Sequence, residues 1–204
     1  MKIVVTGSRG FLGKNLCITL RENNYEVLEI HRDTPLSDAL NHLSVAGFVF
    51  HLAGVNRPES SIEFTQANVE FTQFIVDGLK NANNGASLVL ASSTQATGNN
   101  EYGKSKLFAE NIIESYYKNT GYNGYIFRLP NVFGKWCKPN FNSFIATFCD
   151  NIMRDKEIVI NDHAAKVTLA YIDDVCEQFI KLIEDKPESG FLYLQNQYDS
   201  TVGE

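Results

Sequence analysis

Short β-branched runs alternate with longer helical patterns along most of the chain. The runs are "KIVVTG", "YEVLEIH", "GFVFHLAG", "ASLVLASS" and "GYIFRLP", and helical patterns follow at Phe11 to Glu22, after Pro35, at Ile62 to Ala82 and at Lys104 to Asn119. Because this rhythm is built from parallel βαβ units, the sequence predicts an α/β fold with a doubly wound parallel sheet, covered by helices on both faces.

The rhythm loosens after the fifth run. We expect a small excursion over residues 131–170, with a helix through Met153 and short strands near "EIVI" and "VTLAY", to form part of a substrate pocket. A last helix over 173–184 and a strand in "GFLYLQN" complete the single domain, 1–204. The end, "STVGE", has the pattern of a new helix, with Ser200 or Thr201 as cap and Glu204 in its first turn, so we expect a chain truncated at its C-terminus.

Charge and cysteine content limit the classes of partner. The 204 residues carry a net charge of -6 at pH 7 and contain no run of Lys or Arg, which disfavours nucleic acid and anionic membrane as partners. No stretch has the length of a signal or membrane segment. The four cysteines are irregularly spaced, which favours free thiols and a cytoplasmic location. No cluster has metal spacing, so we expect no metal.

A glycine-rich loop follows the first strand. Gly7, Gly10 and Gly13 form a G-x-x-G-x-x-G pattern that leads into the first helix. Glycines permit a tight turn and close backbone approach, and the helix N-terminus attracts a diphosphate. The loop therefore predicts a dinucleotide site, and a glycine-rich turn without a ligand is the alternative.

The end of the second strand bears on the choice of dinucleotide. An acidic residue there holds the ribose 2′-hydroxyl of NAD, whereas an arginine accommodates the 2′-phosphate of NADP. This sequence has His31 at that place, with Arg32 beside it and Arg9 in the glycine loop. We therefore expect NADPH as cofactor, although Asp33 lies close by and two merely solvated arginines are the alternative.

Tyr102 and Lys106 stand four residues apart in a helical pattern, so they share one helix face. A nearby cation favours the ionised tyrosine and is expected to lower its pKa from about 10, which suits a general acid or base. The same spacing occurs by chance in many helices, and the pair alone is weak evidence.

Six motifs stand in one order along the chain. They are the glycine loop at 7–13, "HLAG" at 51–54, "SST" at 92–94, Tyr102-x-x-x-Lys106, "RLPNVFG" at 128–134 and "YIDD" at 171–174. In this order they resemble an extended short-chain dehydrogenase/reductase that modifies nucleotide sugars, over essentially the whole chain. The resemblance implies a Rossmann-type fold, a nucleotide-sugar substrate and a homodimer. Helices 62–82 and 104–119 are the candidates for its interface, and the alternative is that their apolar faces belong to the core.

The resemblance also implies roles for particular residues. Ser93 matches the hydroxyl residue that holds the substrate carbonyl, while Tyr102 donates the proton and Lys106 also grips the nicotinamide ribose. Asn68 matches a position of the cofactor site that braces the active site through backbone contacts, with a solvated helix asparagine as the alternative. The further positions that match the cofactor site are Phe11, Leu12, Leu52, Ala53, Gly54 and Leu129.

Departures from the family pattern narrow the reaction. Dehydratases in this family carry Asp-Glu where this chain has Thr94 and Gln95, and epimerases that retain NAD carry Asp where it has His31. A closer resemblance, in "HLAGVNRPE", "SSTQAT" and "NVFGKWCKPN", is to the reductase half of bifunctional capsule-precursor enzymes. It implies NADPH-dependent reduction of the C4 ketone of a UDP-linked N-acetylated 6-deoxy-hexulose. Those enzymes epimerise C3 in a C-terminal cupin domain, which we expect to be absent from this chain. An epimerase with retained NAD and a non-catalytic NADP-sensing protein remain alternatives.

Four residues are candidates for contact with the sugar nucleotide. Asn131 matches the family position that binds the nucleotide sugar, and an ordinary turn asparagine is the alternative. Arg57, Lys135 and Lys138 are expected to supply positive charge for the diphosphate, with surface residues as the alternative.

Overall fold

The structure is a computed structural model that describes residues 1–56, 60, 62–141 and 143–204. Its elements in chain order are β1 (Lys2–Thr6), α1 (Phe11–Glu22), β2 (Glu26–Ile30), α2 (Leu36–Ser44), β3 (Phe48–His51), α3 (Ile62–Phe64), α4 (Phe71–Ala82), β4 (Ser87–Ser93), α5 (Glu101–Thr120), β5 (Gly124–Leu129), β6 (Asn131–Phe133), α6 (Phe144–Met153), β7 (Lys166–Tyr171), α7 (Ile172–Asp185), β8 (Gly190–Leu192) and β9 (Tyr198–Thr201). A π-helical stretch, Thr65–Glu70, joins α3 to α4, and a 3₁₀ turn, Thr94–Thr97, precedes α5.

A six-stranded parallel sheet forms the centre of the fold, in the order β2-β1-β3-β4-β5-β8. The strand order reverses between β1 and β3, which creates a crevice at the carboxyl ends of these two strands. Ligands of open α/β sheets bind at such a switch point. The predicted doubly wound parallel sheet is confirmed, and its topology marks where a site should be sought.

Helices cover both faces of this sheet. Alternate strand residues point to opposite sides, so Val5 and Phe50 face α1 and α7, whereas Val4 and Val49 face α2, α4 and α5. All four side chains are fully buried. Strands buried on both faces read as continuous apolar runs, which is why the sequence shows "IVV" and "FVF" without polar alternation.

A second, three-stranded sheet carries the residues after Leu129. Its order is β6-β7-β9, with β6 and β7 parallel and β7 and β9 antiparallel. The expected strand at "VTLAY" is confirmed as β7, but the strand expected at "EIVI" is wrong, because residues 157–160 have no strand pairing and Val159 is exposed.

The helix expected to open at Ser200 or Thr201 is also wrong. Residues Tyr198–Thr201 pair with β7, and Glu204 then accepts hydrogen bonds from the Ser200 hydroxyl and the Thr201 N–H, both at 3.1 Å. Glu204 thus makes the hydrogen bonds expected of a helix cap, but it makes them in a turn that follows a strand. Strand pairing decided the outcome, and no local pattern carries that information.

Candidate active site

A cleft of about 1550 Å³ opens where the glycine loop and the ends of β3, β4 and β5 meet. On its other side lie the loop after β6 and one face of α6. The predicted site residues that line this main cleft are Gly7, Arg9, Gly10, Phe11, Leu12, Gly13, Arg32, Leu52, Gly54, Ser93, Tyr102, Lys106, Leu129 and Asn131. The tertiary fold thus gathers residues from positions 7 to 131 around one space.

The glycine loop is packed against backbone on two sides. Gly7 has a φ of +66°, and a Cβ there would lie 2.8 Å from the backbone of Ala53. A Cβ on Gly13 would lie 2.1 Å from the Gly7 carbonyl oxygen. Gly10 is the N-cap residue of α1, and it leaves the first N–H groups of the helix without a side-chain cap. Gly10, Phe11 and Leu12 line the main cleft, so the uncapped start of α1 suits the diphosphate of a dinucleotide.

The end of β2 presents a network of charges at the rim of the main cleft. Arg9 forms an exposed ion pair with Asp33 at 2.9 Å, and the Asp33 N–H lies 3.3 Å from His31 Nδ1. Arg32 is exposed and has no carboxylate within 4.0 Å among the residues that the structure describes. One of the two cations near the expected 2′-phosphate is thus already paired, and Arg32 is available for a ligand.

The start of α5 brings the tyrosine and the lysine together. Asn100 caps the helix by accepting a hydrogen bond from the Gly103 N–H at 2.7 Å, so the helix begins at Glu101 and not at Lys104. Tyr102 and Lys106 therefore both lie on α5, one turn apart, as expected. Ser93 ends β4 beside them, and its hydroxyl accepts from the Gln95 N–H at 3.2 Å.

The protonation states differ from the expectation. The pKa of Tyr102 is raised above its usual value, mainly by burial, and a hydrogen bond to Ser93 acts in the opposite direction. The expected lowering by Lys106 is wrong, because burial dominates and the Lys106 ammonium instead donates to the Ala91 carbonyl at 2.9 Å. Burial lowers the pKa of Lys106 to about 8. At neutral pH Tyr102 is therefore a neutral hydroxyl able to donate a proton, and Lys106 is largely charged.

Asn68 sits in the π-helical stretch between α3 and α4. Its side chain accepts from the Val55 N–H at 2.9 Å and donates to the Val55 carbonyl at 3.0 Å and to the Ser105 hydroxyl at 2.9 Å. It thereby joins the loop after β3 to α5. The extra residue of a π turn redirects a side chain, and such turns are frequent at functional sites. The sequence predicted an unbroken helix over 62–82 and carried no signal for the π turn.

His51 is buried behind the main cleft, with only 1% of its surface exposed. The Thr72 hydroxyl donates its proton to the Asn68 carbonyl at 2.6 Å. Its oxygen must therefore be the acceptor in the 2.9 Å hydrogen bond with His51 Nε2, so Nε2 carries the imidazole proton. His51 Nδ1 then accepts from the Thr6 hydroxyl at 2.7 Å, and that hydroxyl oxygen accepts from the Ala53 N–H. The chain of bonds requires a neutral imidazole, and burial lowers its pKa to about 3.

We expect His51 to make the protein acid-sensitive. Its pKa lies below the unfolded value, so the folded state binds fewer protons and the free energy of unfolding falls as the pH drops below 6.5. The slope should approach about 1.4 kcal/mol per pH unit between pH 6 and 4. Urea unfolding at a series of pH values measures it.

The matched variants are His51→Gln and His163→Gln, since His163 lies exposed in a loop. The first should be less stable at pH 7 and have a flatter acid slope, while the second should keep the wild-type slope. An unchanged slope in a folded His51→Gln variant would contradict this assignment.

The remaining predicted residues fall at different places around the cleft. Asn131 lines it, and its amide donates to the Thr168 carbonyl at 3.4 Å. Lys135 forms an ion pair with Asp173 at 3.1 Å. It is not one of the described residues that line the cleft. Lys138 does line it, whereas Arg57 lies outside the residues that the structure describes.

Several lining residues were not predicted. Phe144, Thr147 and Phe148 form one face of α6 toward the cleft, and Lys14 lies over the Trp136 ring at 4.3 Å. The i, i+4 spacing of the two phenylalanines was the only available signal, and it is equally typical of a buried helix face. No His, Cys, Asp and Glu cluster suited to a metal occurs in the described ranges. Within those ranges, too, no helix combines the length and apolarity that crossing a membrane requires.

A parallel sheet with a glycine loop at its switch point, and a serine, tyrosine and lysine at the same cleft, defines the class of short-chain dehydrogenases/reductases. Within that class, the chain belongs to the NAD dependent epimerase/dehydratase family, which residues 3–192 match. Membership in this family gives the cofactor class, a nicotinamide adenine dinucleotide.

Individual relatives are more specific. The chain is 44% identical to the UDP-2-acetamido-2,6-beta-L-arabino-hexul-4-ose reductase of Pseudomonas aeruginosa, over all of this chain and 55% of that protein. The crystal structure of the capsular polysaccharide assembling protein CapF from Staphylococcus aureus is similar with a TM-score of 0.89 and 43% identity, over 100% of this chain and 56% of that one. The chain therefore spans about half the length of both relatives.

A more distant structure shares only the fold. It is UDP-glucuronic acid 4-epimerase from Bacillus cereus in complex with NAD, with a TM-score of 0.86 and 21% identity, covering 99% of this chain and 81% of that one.

Proposed function

We propose that this chain is an NADPH-dependent reductase. It reduces the C4 ketone of a UDP-linked N-acetylated 6-deoxy-hexulose during synthesis of a capsule or surface polysaccharide precursor. The observation that carries the proposal is the 44% identity, over the whole chain, to a reductase whose name specifies a UDP-linked hexul-4-ose. The meeting of Ser93, Tyr102 and Lys106 at the main cleft supports it.

The residues of the chain divide the work of this reduction. The Ser93 hydroxyl, at the end of β4, orients the ketone oxygen, and Tyr102 donates a proton to that oxygen. The raised pKa of Tyr102 keeps it protonated at neutral pH, which suits an acid in the reducing direction. When bound, NADPH supplies the hydride. The Lys106 ammonium would hold the nicotinamide ribose of the bound cofactor, and its charge would stabilise the developing tyrosinate.

The absence of two acids after the serine supports reduction over dehydration. Elimination from a nucleotide sugar requires an acid and a base beside the ring, and this chain has Thr94 and Gln95 at the corresponding positions. Gln95 lines the main cleft. An amide side chain neither donates nor accepts a proton at neutral pH, so it cannot replace a carboxyl group.

We further propose that the cofactor is NADPH and that Arg32 contacts its 2′-phosphate. Charge-assisted bonds to a phosphate contribute about 1.5–3 kcal/mol, so Arg32→Ala should weaken NADPH binding about ten- to a hundredfold while leaving NADH binding almost unchanged. Fluorescence titration with both dinucleotides measures this. Arg154→Ala is the control, since Arg154 pairs with Asp150 on α6 at an exposed surface.

The outcome also separates the alternative functions. Tight NADH binding that is indifferent to Arg32 would favour an epimerase that retains NAD. Preference for NADPH, followed by its consumption with a UDP-linked 4-keto sugar, would support the reductase. NADPH binding without turnover of any such sugar would favour a non-catalytic sensor.

The substrate side of the proposal rests on Asn131, Lys138 and Arg57. Asn131 and Lys138 line the main cleft and suit sugar and diphosphate oxygens respectively. The proposed contact of Arg57 with the diphosphate rests on the sequence alone. The Lys135 ammonium is less available for the diphosphate, because it is paired with Asp173.

We also propose a homodimer and a cytoplasmic location. Helices α4 and α5 lie side by side, and α5 leaves Phe108 59% exposed, which supports an interface there. All four cysteines are free thiols, as is usual in a reducing compartment. We further propose that residues 1–204 form one reductase domain, in which residues 131–170 are an excursion that binds the substrate.

A further inference from the structure

A buried carboxylate lies one turn beyond Lys106 on α5. Glu110 has no exposed surface. It accepts hydrogen bonds from the Ser92 hydroxyl at 2.5 Å and from Arg128 Nε and Nη2 at 2.9 and 2.7 Å. Ser92 and Arg128 are directly opposite each other on β4 and β5. Glu110 therefore connects α5 to β4 and β5, the two strands that end at Ser93 and Leu129.

Lys106 needs electrostatic support that its immediate contacts do not supply. It is only 6% exposed, and its ammonium donates to one carbonyl, that of Ala91. A Cβ placed on Gly54 would lie 3.1 Å from Lys106 Nζ, so this ammonium is packed closely against the loop after β3. Within the described part of the chain, no carboxylate oxygen lies within 4.0 Å of it. A cation in such a place is costly unless a negative charge is near.

Few charged groups act on Lys106 from the elements around it. Tyr102 on the same helix is neutral at pH 7, and His51 on β3 is neutral as well. Burial lowers the pKa of Lys106, and the charge of Glu110 raises it. Arg128 on β5 holds the Glu110 carboxylate in a two-pronged ion pair.

We propose that Glu110 is a positioning residue of this site, which keeps Lys106 charged through its buried carboxylate while Arg128 and Ser92 hold that carboxylate in place. Its part in turnover rests on the proposed reductase function, but its effect on Lys106 does not. A purely structural role would stabilise the junction of α5, β4 and β5 and leave the ionisation of Lys106 unchanged.

The test is Glu110→Gln, which keeps the size of the side chain and removes its charge. The ionisation of Lys106 is followed by NMR of the chain labelled with ¹³C-lysine, with Lys106→Met to assign the signal. We expect the pKa of Lys106 to fall by about one unit. The basic limb of the pH–turnover profile should move to lower pH by the same amount.

Glu114→Gln is the matched control. Glu114 lies one turn further along α5 and pairs with Lys118 at the surface, so its change should leave Lys106 as it is. Because Glu110→Gln leaves Arg128 without its partner and can unfold the chain, a second variant, Glu110→Gln with Arg128→Gln, removes both charges. A lower pKa of Lys106 in the folded double variant supports the proposal, because no unpaired Arg128 charge is left there to lower it. If only the single variant folds, a lower pKa of Lys106 in that variant supports the proposal.

An unchanged pKa of Lys106 in a variant with wild-type circular dichroism would overturn the proposal. Should neither variant fold while Glu114→Gln does, the structural role alone would stand and the proposal would fall. A lowered pKa of Lys106 without any reduction of a UDP-linked 4-keto sugar would leave this inference intact and overturn the proposed function instead.

Discussion

Tyr102→Phe should lower turnover of a UDP-linked 4-keto sugar about 10²- to 10⁴-fold, the range typical of losing a positioned general acid. The ring stays, so its packing in the cleft, including the contact with Phe64, should persist. Only the hydroxyl that donates the proton is removed. Dinucleotide affinity should therefore remain close to that of the wild type, as measured by fluorescence titration beside a steady-state assay.

Tyr117→Phe provides the matched control for this experiment. Tyr117 lies on the same helix, but the residue four positions on is Gly121 and not a lysine. The control should retain full turnover. If Tyr102→Phe also kept its turnover, another group would have to donate the proton, and the assignment of Tyr102 would be lost.

Gly13→Ala should weaken dinucleotide binding about a hundredfold, because relieving its overlap costs up to about 3 kcal/mol. The added Cβ would lie 2.1 Å from the Gly7 carbonyl oxygen and 2.8 Å from Ser8 Cα. Both are backbone atoms and cannot rotate away. The loop must shift, and with it the N–H groups that we propose to bind the diphosphate.

Gly47→Ala separates this effect from a general cost of replacing glycine. A Cβ at Gly47 would approach the Met1 side chain at 2.7 Å, and that side chain is flexible enough to move. The control should bind the dinucleotide normally. Equal affinities of the two variants would show that the glycine loop does not form the diphosphate site.

Local patterns were sufficient for most of the fold. Strand and helix periods located β1, α1, β3, β4 and α5 to within a few residues, since each of these elements buries a regular apolar stripe. They failed at "EIVI" and at the last residues, where the outcome depended on whether a partner strand was present. Local propensity does not contain that information.

The candidate site divides in the same way. The glycine loop and the pair Tyr102 and Lys106 were predicted because spacing along one loop or one helix determines which groups share a face. The ionisation of this pair was not, because burial and not the charge of a neighbour dominates the pKa of Tyr102. The face of α6 toward the cleft was missed because an apolar helix stripe looks the same whether it meets a core or a ligand.

The sequence by itself determined the order of the elements, the loop that suits a diphosphate and the identity of the groups able to donate or hold a proton. All of these depend on residue type and on spacing along short stretches of the chain. Only the tertiary structure decided that Glu110 meets Arg128, that His51 is buried in a neutral state and that Asn68 joins α5 to the loop after β3. Those contacts join residues 13 or more positions apart, and they set electrostatics through burial, which is a property of the folded chain as a whole.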